Sequence, residues 1–301
     1  MTNSNRLRGN CIGIAGGMLL STDALFIRLM HIDDAWLIVM MRGLLMWSAF
    51  SLTYAFVPRW RPMLGNPWPT RQTLWATVFF AVASVTFVNA LTHGEVAPVL
   101  LIISSTPFIS AFFAHVFLSE KADRVMLASS ALGMCGVAVV VGGASQSGAL
   151  IARYFAMATA VSMALAFLCS SRVSGGAAGL PSLGALVASL VVMGSQHVPW
   201  QLAPTLLMQH RGLWILIEGA LVMPLSLGLL ALSARYVSAA STGLFLLLET
   251  ALAPLWIWIA FDENPGIQVM VGGLITVSAV FVYFIYSDRR FNLRAASSSQ
   301  T

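Results

Sequence analysis

Charge is what this sequence has least of. Of its 301 residues only 9% are Asp, Glu, Lys or Arg, while 58% are apolar; soluble domains carry roughly 25% charged residues. Water cannot solvate so little charge on so much apolar surface, but lipid can. Lysine occurs once, as Lys121 between two apolar runs, which excludes a retinal-type site built on a mid-membrane lysine. The three cysteines, Cys11, Cys135 and Cys169, lie inside apolar runs. They make no disulfide framework or metal site and read as small packing residues. The net charge of +5 does not indicate nucleic acid, because the basic residues cap apolar runs and form no stripe. No HExxH, phosphate loop or paired catalytic Asp is present. The segment around Ser145 reads GGASQSG, a turn. The chain is therefore not expected to be an enzyme, nor to need a cofactor or metal. Without a carbonyl filter or charged ring it is also not expected to be a channel.

What is present is a succession of apolar runs, each close to the 20 or so residues that cross a bilayer. They cover 9–30, 35–57, 73–92, 96–118, 125–142, 149–173, 181–197, 211–235, 238–261 and 266–287. These predict an all-α membrane protein of ten transmembrane helices with no room for a soluble domain. The opening MTNSNRLRGN leads into the first run without a small-residue cleavage pattern, predicting a retained helix. With a cytoplasmic N-terminus, the inside segments hold Arg6, Arg8, Arg59, Arg61, Arg71, Lys121, Arg124, Arg172, Arg235, Arg289, Arg290 and Arg294. The outside segments hold Arg153 and Arg211. Twelve against two places both ends in the cytoplasm and favours an even number of spans.

The chain also repeats itself. A shift of 143 residues brings Leu101 onto Leu244, Glu120 onto Glu263 and Val139 onto Val282. It also sets Ser129-Ser130 on Gly272-Gly273 and Gly136 on Ala279. The expected organisation is a cytoplasmic N-terminus (1–8), a first five-helix repeat (9–142), a second (149–287) and a cytoplasmic tail (288–301). Five is odd, so the second copy enters the membrane from the other side. Inverted repeats enclosing a midplane site are a recurrent transporter architecture.

With this pattern the sequence resembles the drug/metabolite transporter superfamily, specifically its EamA-type ten-helix exporters. The carriers of the resemblance are the five-plus-five repeat and the Pro107…Glu120 pattern. Small residues Ala97 and Ala239-Ala240 opening the fourth and ninth spans, and Arg42 in the second, add to it. Within that group it is most similar to the YddG-type exporters of amino acids and related metabolites. Two positions depart from the family: Glu249-Thr250 stands where Glu-Pro is common, with proline displaced to Pro254, and Ser21-Thr22-Asp23 stands where Trp-Gly is common. The resemblance implies alternating access around a central apolar cavity, with spans five and ten at the periphery. The implied setting is the inner membrane of a cell, with a small-molecule substrate and the lipid bilayer as partners. A monomer is expected, since two fused halves already supply the inverted pair.

A charge at the bilayer centre costs roughly 2.5–3.5 kcal/mol on insertion scales, so such residues are functional candidates. They are Asp23, Arg28, Arg42, Glu218 and Glu249. Glu249 is a candidate to hold a substrate ammonium or a proton, and Asp23 to share that task or to pair with an arginine. Arg28 is placed to snorkel. Arg42, roughly 10 Å below the outer face at 1.5 Å per residue, is a candidate for a carboxylate or a structural partner for Asp23. Glu218 is read as structural or gating. Pro107 and Pro254 are expected to break the fourth and ninth helices. Ser104, Ser105, Thr106 and Ser110 would then rebond the freed carbonyls or face substrate. Asn89 is either interhelical glue or a cavity group, and Thr250 sits beside Glu249 on the expected pathway. Gly9, Gly13 and Gly17 clear one face of the first helix for close packing. Together these predict a carrier of amino acids with aromatic or other apolar side chains, with organic cations or hydrophobic drugs as the alternative substrates.

Overall fold

The computed structural model describes residues 3–30, 32, 34–66, 68, 70–71, 73–93, 96–119, 124–141, 150–195, 203–208, 212–262 and 266–298. Among these residues the chain is all-helical, with no strand. The helices are α1a (Asn3–Leu20), α1b (Asp23–Met30), α2 (Ala35–Phe56), α3 (Leu74–His93), α4a (Val96–Ile103) and α4b (Thr106–Leu118). They continue with α5 (Arg124–Val141), α6 (Leu150–Ser170) and α7 (Leu180–Gly194). A single line then runs through α8a (Gly212–Ile217), a π segment (Glu218–Val222) and α8b (Met223–Ser233). The last are α9a (Ala239–Phe245), α9b (Leu247–Phe261) and α10 (Gly266–Ser298). Seven of these lines are long and apolar enough to cross a membrane; the apolar helices Thr106–Phe117, Arg124–Val139 and Leu180–Gly194 are shorter. Lys121, Ser145, Glu120 and Glu263 lie outside the described residues.

Polar side chains account for two of the interruptions. At the α1 break Ser21 Oγ donates to Met18 O (2.6 Å) and Thr22 Oγ1 to Leu19 O (2.8 Å). Carbonyls that end α1a thus find partners inside the membrane, where water is unavailable. Trp256 Nε1 donates to Ser21 Oγ (2.8 Å), tying the break to α9b. At the α4 break Ser105 Oγ donates to Ile102 O (2.7 Å) and Thr106 Oγ1 to Ile103 O (2.5 Å). Pro107 follows in the first turn of α4b, where a missing N–H costs nothing. The ninth line breaks elsewhere than Pro254 predicts: α9b runs through that position, and the turn is interrupted at Leu246. The side chain of Pro254 lies outside the described residues. Proline is tolerated within a transmembrane helix when neighbours re-satisfy the freed backbone.

The 143-residue shift also relates the packing. It maps Leu246, the α9 break, onto Ile103 at the α4 break, and the left-handed cap Asp262 (φ 55°) onto the left-handed cap Ser119 (φ 53°). α5 and α10 pack along each other at the periphery. At their crossing Thr276 donates to the carbonyl of its own counterpart, Gly133 (3.2 Å). Gly133 faces Ala279 while Gly136 faces Thr276, so the contacts exchange across the crossing, as in an isologous interface. α3 packs on α6 as α1a packs on α8b, and α2 packs on α7. A side chain at Gly43 would run into the Ala185 carbonyl, which explains the close α2–α7 approach. Gly9, Gly13 and Gly17 do clear a face, packed against Tyr236 and Phe245. Cys11 and Cys135 are exposed on the outer surface and Cys169 only half-buried, so the first two are not packing residues. Their small apolar character suits a lipid-facing position equally well.

Candidate functional site

The buried charges converge. Asp23 opens α1b, Arg42 lies near the middle of α2, Glu218 opens the π segment, and Glu249 lies in the first turn of α9b. All four side chains are at least 94% buried. Arg42 Nη2 donates to Asp23 Oδ2 at 3.0 Å, and Arg42 Nε lies 3.1 Å from Glu218 Oε1. Nη2 also approaches Met223 Sδ (2.7 Å), and the guanidinium carbon sits 5.9 Å from the Phe87 ring centroid. Two acids therefore flank one base. The bond to Asp23 is charge-assisted and stronger than a neutral one, while Glu218 is held as an ion pair whose Oε1 has no hydrogen-bond partner.

Local backbone puts the acids there. Because α1 stops at Leu20 and restarts at Asp23, the Asp23 carboxyl comes off a fresh first turn within the first span rather than off a continuing cylinder. The π segment does the same for Glu218. One extra residue per turn shifts the helix phase, and Pro224, lacking an N–H, follows directly. Gly219 packs against Leu45 with α2 close by. Sequence reading treated the eighth span as a plain helix. The signal was the Glu218-Gly219 pair a turn before Pro224.

Asp23, Arg42 and Glu249 line one small cavity of about 40 Å³. The remaining walls are mainly apolar, from Leu20, Met46, Phe80, Phe87, Met163 and Leu227. Its lining comes from α1, α2, α3, α6, α7, α8b and α9b, and among the described residues none comes from α4, α5 or α10. The shift of 143 pairs four sets of lining residues: Leu20 with Met163, Arg42 with Ala185, Phe80 with Met223, and Ser84 with Leu227. The cavity thus lies where the two halves face each other, and it is charged on one half's member of a pair whose partner is alanine. Two polar atoms within it have no hydrogen-bond partner: Arg42 Nη1 and Asp23 Oδ1. Buried polar groups are normally satisfied, so orphaned ones call for a ligand, a water or a function.

The other predicted pathway residues are buried but do not line this cavity. Asn89 Nδ2 donates to Val85 O of its own helix (2.8 Å), so it is not interhelical glue through that group. Thr106 is spent on the α4 break. Pro107 packs against Gly243 of α9a. Ser110 and Thr250 are buried among the helices. Polarity within an apolar run marks a residue as unusual without fixing which side of the helix meets the cavity. Arg28 is exposed near the end of α1b with its guanidinium over the Phe261 ring (4.6 Å), the snorkelling position. Among the described residues no group of His, Cys, Asp and Glu could hold a metal ion.

Residues 7–142 match the model of the EamA-like transporter family. No curated protein matches the chain. One solved crystal structure superposes with a TM-score of 0.76, covering 95% of this chain and 99% of its own at 16% identity, a likeness of fold. The first half of this multi-span helical membrane protein is thus similar to the EamA-like transporter family of the drug/metabolite transporter superfamily.

Proposed function

We propose that this protein is a secondary carrier that exports small zwitterionic metabolites, above all amino acids with aromatic or other apolar side chains. It works by alternating access between two inverted five-helix halves, ten spans in all. The observation that carries this reading is the Arg42 Nη1 donor, buried and unpartnered in an apolar cavity that also holds the carboxyls of Asp23 and Glu249. Once rocking of the halves widens this small cavity, a substrate carboxylate satisfies the guanidinium, the substrate ammonium meets Glu249 or Asp23, and the Phe80, Phe87, Met163 and Met223 walls take an apolar side chain. The paired lining of the cavity supports rocking of one half against the other about it. The arginine bias of the loops supports an inner-membrane location with both termini cytoplasmic. The enclosed pairing of the halves supports a monomer.

A second reading, an exporter of organic cations, draws on the charge balance: three carboxyls, Asp23, Glu218 and Glu249, face one guanidinium. Purified protein in vesicles, assayed with an amino-acid panel and a cation panel under both signs of pH gradient, separates the two. Saturable amino-acid transport that is lost in both Glu249→Gln and Arg42→Ala variants supports the zwitterion. Loss in Glu249→Gln with retention in Arg42→Ala selects the cation. Amino-acid flux untouched in both rejects the site. Flux proportional to concentration rejects a carrier altogether.

A further inference from the structure

A second, larger crevice lies on the other side of α8b from the charged cluster. Its volume is about 440 Å³. α2 packs against the π segment and then parts from α8b. The gap is floored by the start of α7 and closed at one end by the short helical turns Pro58–Trp60 and Arg61–Leu64. Met46, Met223 and Leu227 wall it off from the charged cavity, while Phe50, Leu221, Leu225 and Leu229 face into it. Leu221 and Leu225, which line it, are also exposed on the apolar outer surface, so the crevice opens sideways toward lipid. Thr53, one of its few polar side chains, already donates to Ala49 O (2.7 Å). Water in such a space lacks the two to four polar partners it needs.

The end of the crevice is different in character. Trp60 lines it and is exposed, with exposed arginines on either side. Arg61 spends its guanidinium on the closing carbonyls of α2, Tyr54 O (2.8 Å) and Ala55 O (3.2 Å), and lies over the Tyr54 ring. Arg59 is held by no such bond in the structure. A tryptophan and a cation at the mouth of an apolar slot are the elements that hold a phospholipid at the headgroup level.

We propose that this crevice is a binding site for one acyl chain of an anionic phospholipid, with its phosphate on Arg59. The site is separate from the transport cavity and independent of which solute that cavity carries. An acyl chain filling the slot holds α2 and α8b at their present separation.

The test is native mass spectrometry of the purified, delipidated full chain after incubation with equal amounts of phosphatidylglycerol and phosphatidylcholine of matched chains. The wild type is expected to retain one phosphatidylglycerol with about a fivefold preference, the effect of one arginine at a membrane surface. Free inorganic phosphate does not displace it. Ala220→Phe, which fills the slot, abolishes retention of both lipids. Arg59→Glu, on an exposed side chain that leaves the helices untouched, removes the preference while a chain is still retained. This second variant carries the test if Ala220→Phe does not fold. Retention unchanged in Ala220→Phe, a preference that survives Arg59→Glu, or displacement by phosphate alone overturns the proposal.

Discussion

The two halves of this protein agree in their scaffold and differ where they carry charge. α4 and α9 break within two residues of equivalent positions under the 143-residue shift and end on left-handed caps at Ser119 and Asp262. α5 and α10 cross with exchanged contacts. Against this, α3 is continuous where α8 contains the π segment, and α6 is continuous where α1 is broken. Asp23 and Glu218 sit at those two irregularities, and Arg42 faces the cavity opposite its counterpart Ala185. A duplicated bundle needs both copies to pack, so small residues and caps persist in each. A substrate needs only one set of charges, and each buried charge is costly, so charge is confined to one member of a pair.

Removing the charged member is the strongest way to break this comparison. Arg42→Ala leaves Asp23 and Glu218 buried without their base and is expected to destabilise the protein by about 3–5 kcal/mol. The matching change Ala185→Gly costs about 0.5–1 kcal/mol, from chain entropy alone. Thermal unfolding in detergent measures both, and similar losses for the two would show that the ion pairs carry little weight.

At the α5–α10 crossing a methyl at Gly136 meets the Gly272 carbonyl and Thr276, neither of which can step aside easily. Gly136→Ala is expected to cost about 1–3 kcal/mol as overpacking. Gly133→Ala clashes with the flexible end of the Leu247 side chain and otherwise makes ordinary contact with Ala279, and should be milder in the same melting experiment. The reverse order would mean that the crossing tolerates separation.

The α4 break depends on hydroxyls that α9 lacks, since the shift sets Ser104, Ser105 and Thr106 on Leu247, Leu248 and Glu249. Thr106→Val removes the bond to Ile103 O and is expected to lose about 1 kcal/mol, with faster amide exchange confined to α4. Exchange that rises equally in α9 would couple the two breaks.

The smallest effect tests what the halves share. Ser119→Gly and Asp262→Gly each relieve a left-handed backbone, a strain of about 1–2 kcal/mol offset by glycine's entropy. Each is expected to stabilise by about 0.5 kcal/mol, equally in both halves. Unequal shifts in melting temperature would show that only one cap is strained.

Much of this was legible in the sequence because lipid enforces simple rules. Apolar runs specify an all-helical, multi-span membrane chain, and the 143-residue shift noted in the sequence also relates its helix breaks and caps. The expense of buried charge picked out Asp23, Arg42 and Glu249, which do share a cavity. Asn89 and Thr106 are also polar in apolar runs, yet each donates to a carbonyl of its own span, while Ser110 and Thr250 are buried away from the cavity, Ser110 Oγ without a hydrogen-bond partner. A hydroxyl or amide can be satisfied by the carbonyl four residues back, so its presence says little about a ligand. The pairing of Glu218 with Arg42 was invisible because the π segment turns that carboxyl inward.

Sequence alone therefore determined that the chain enters lipid, that it does so twice over in similar form, and that a handful of ionisable groups go with it, since transfer free energy depends on residue type and run length. Only the tertiary structure decided that α1 and α8 are irregular at Asp23 and Glu218, that α9 breaks at Leu246, and that the acids meet Arg42. Those outcomes depend on which face each helix turns to its neighbours, and long-range packing sets that.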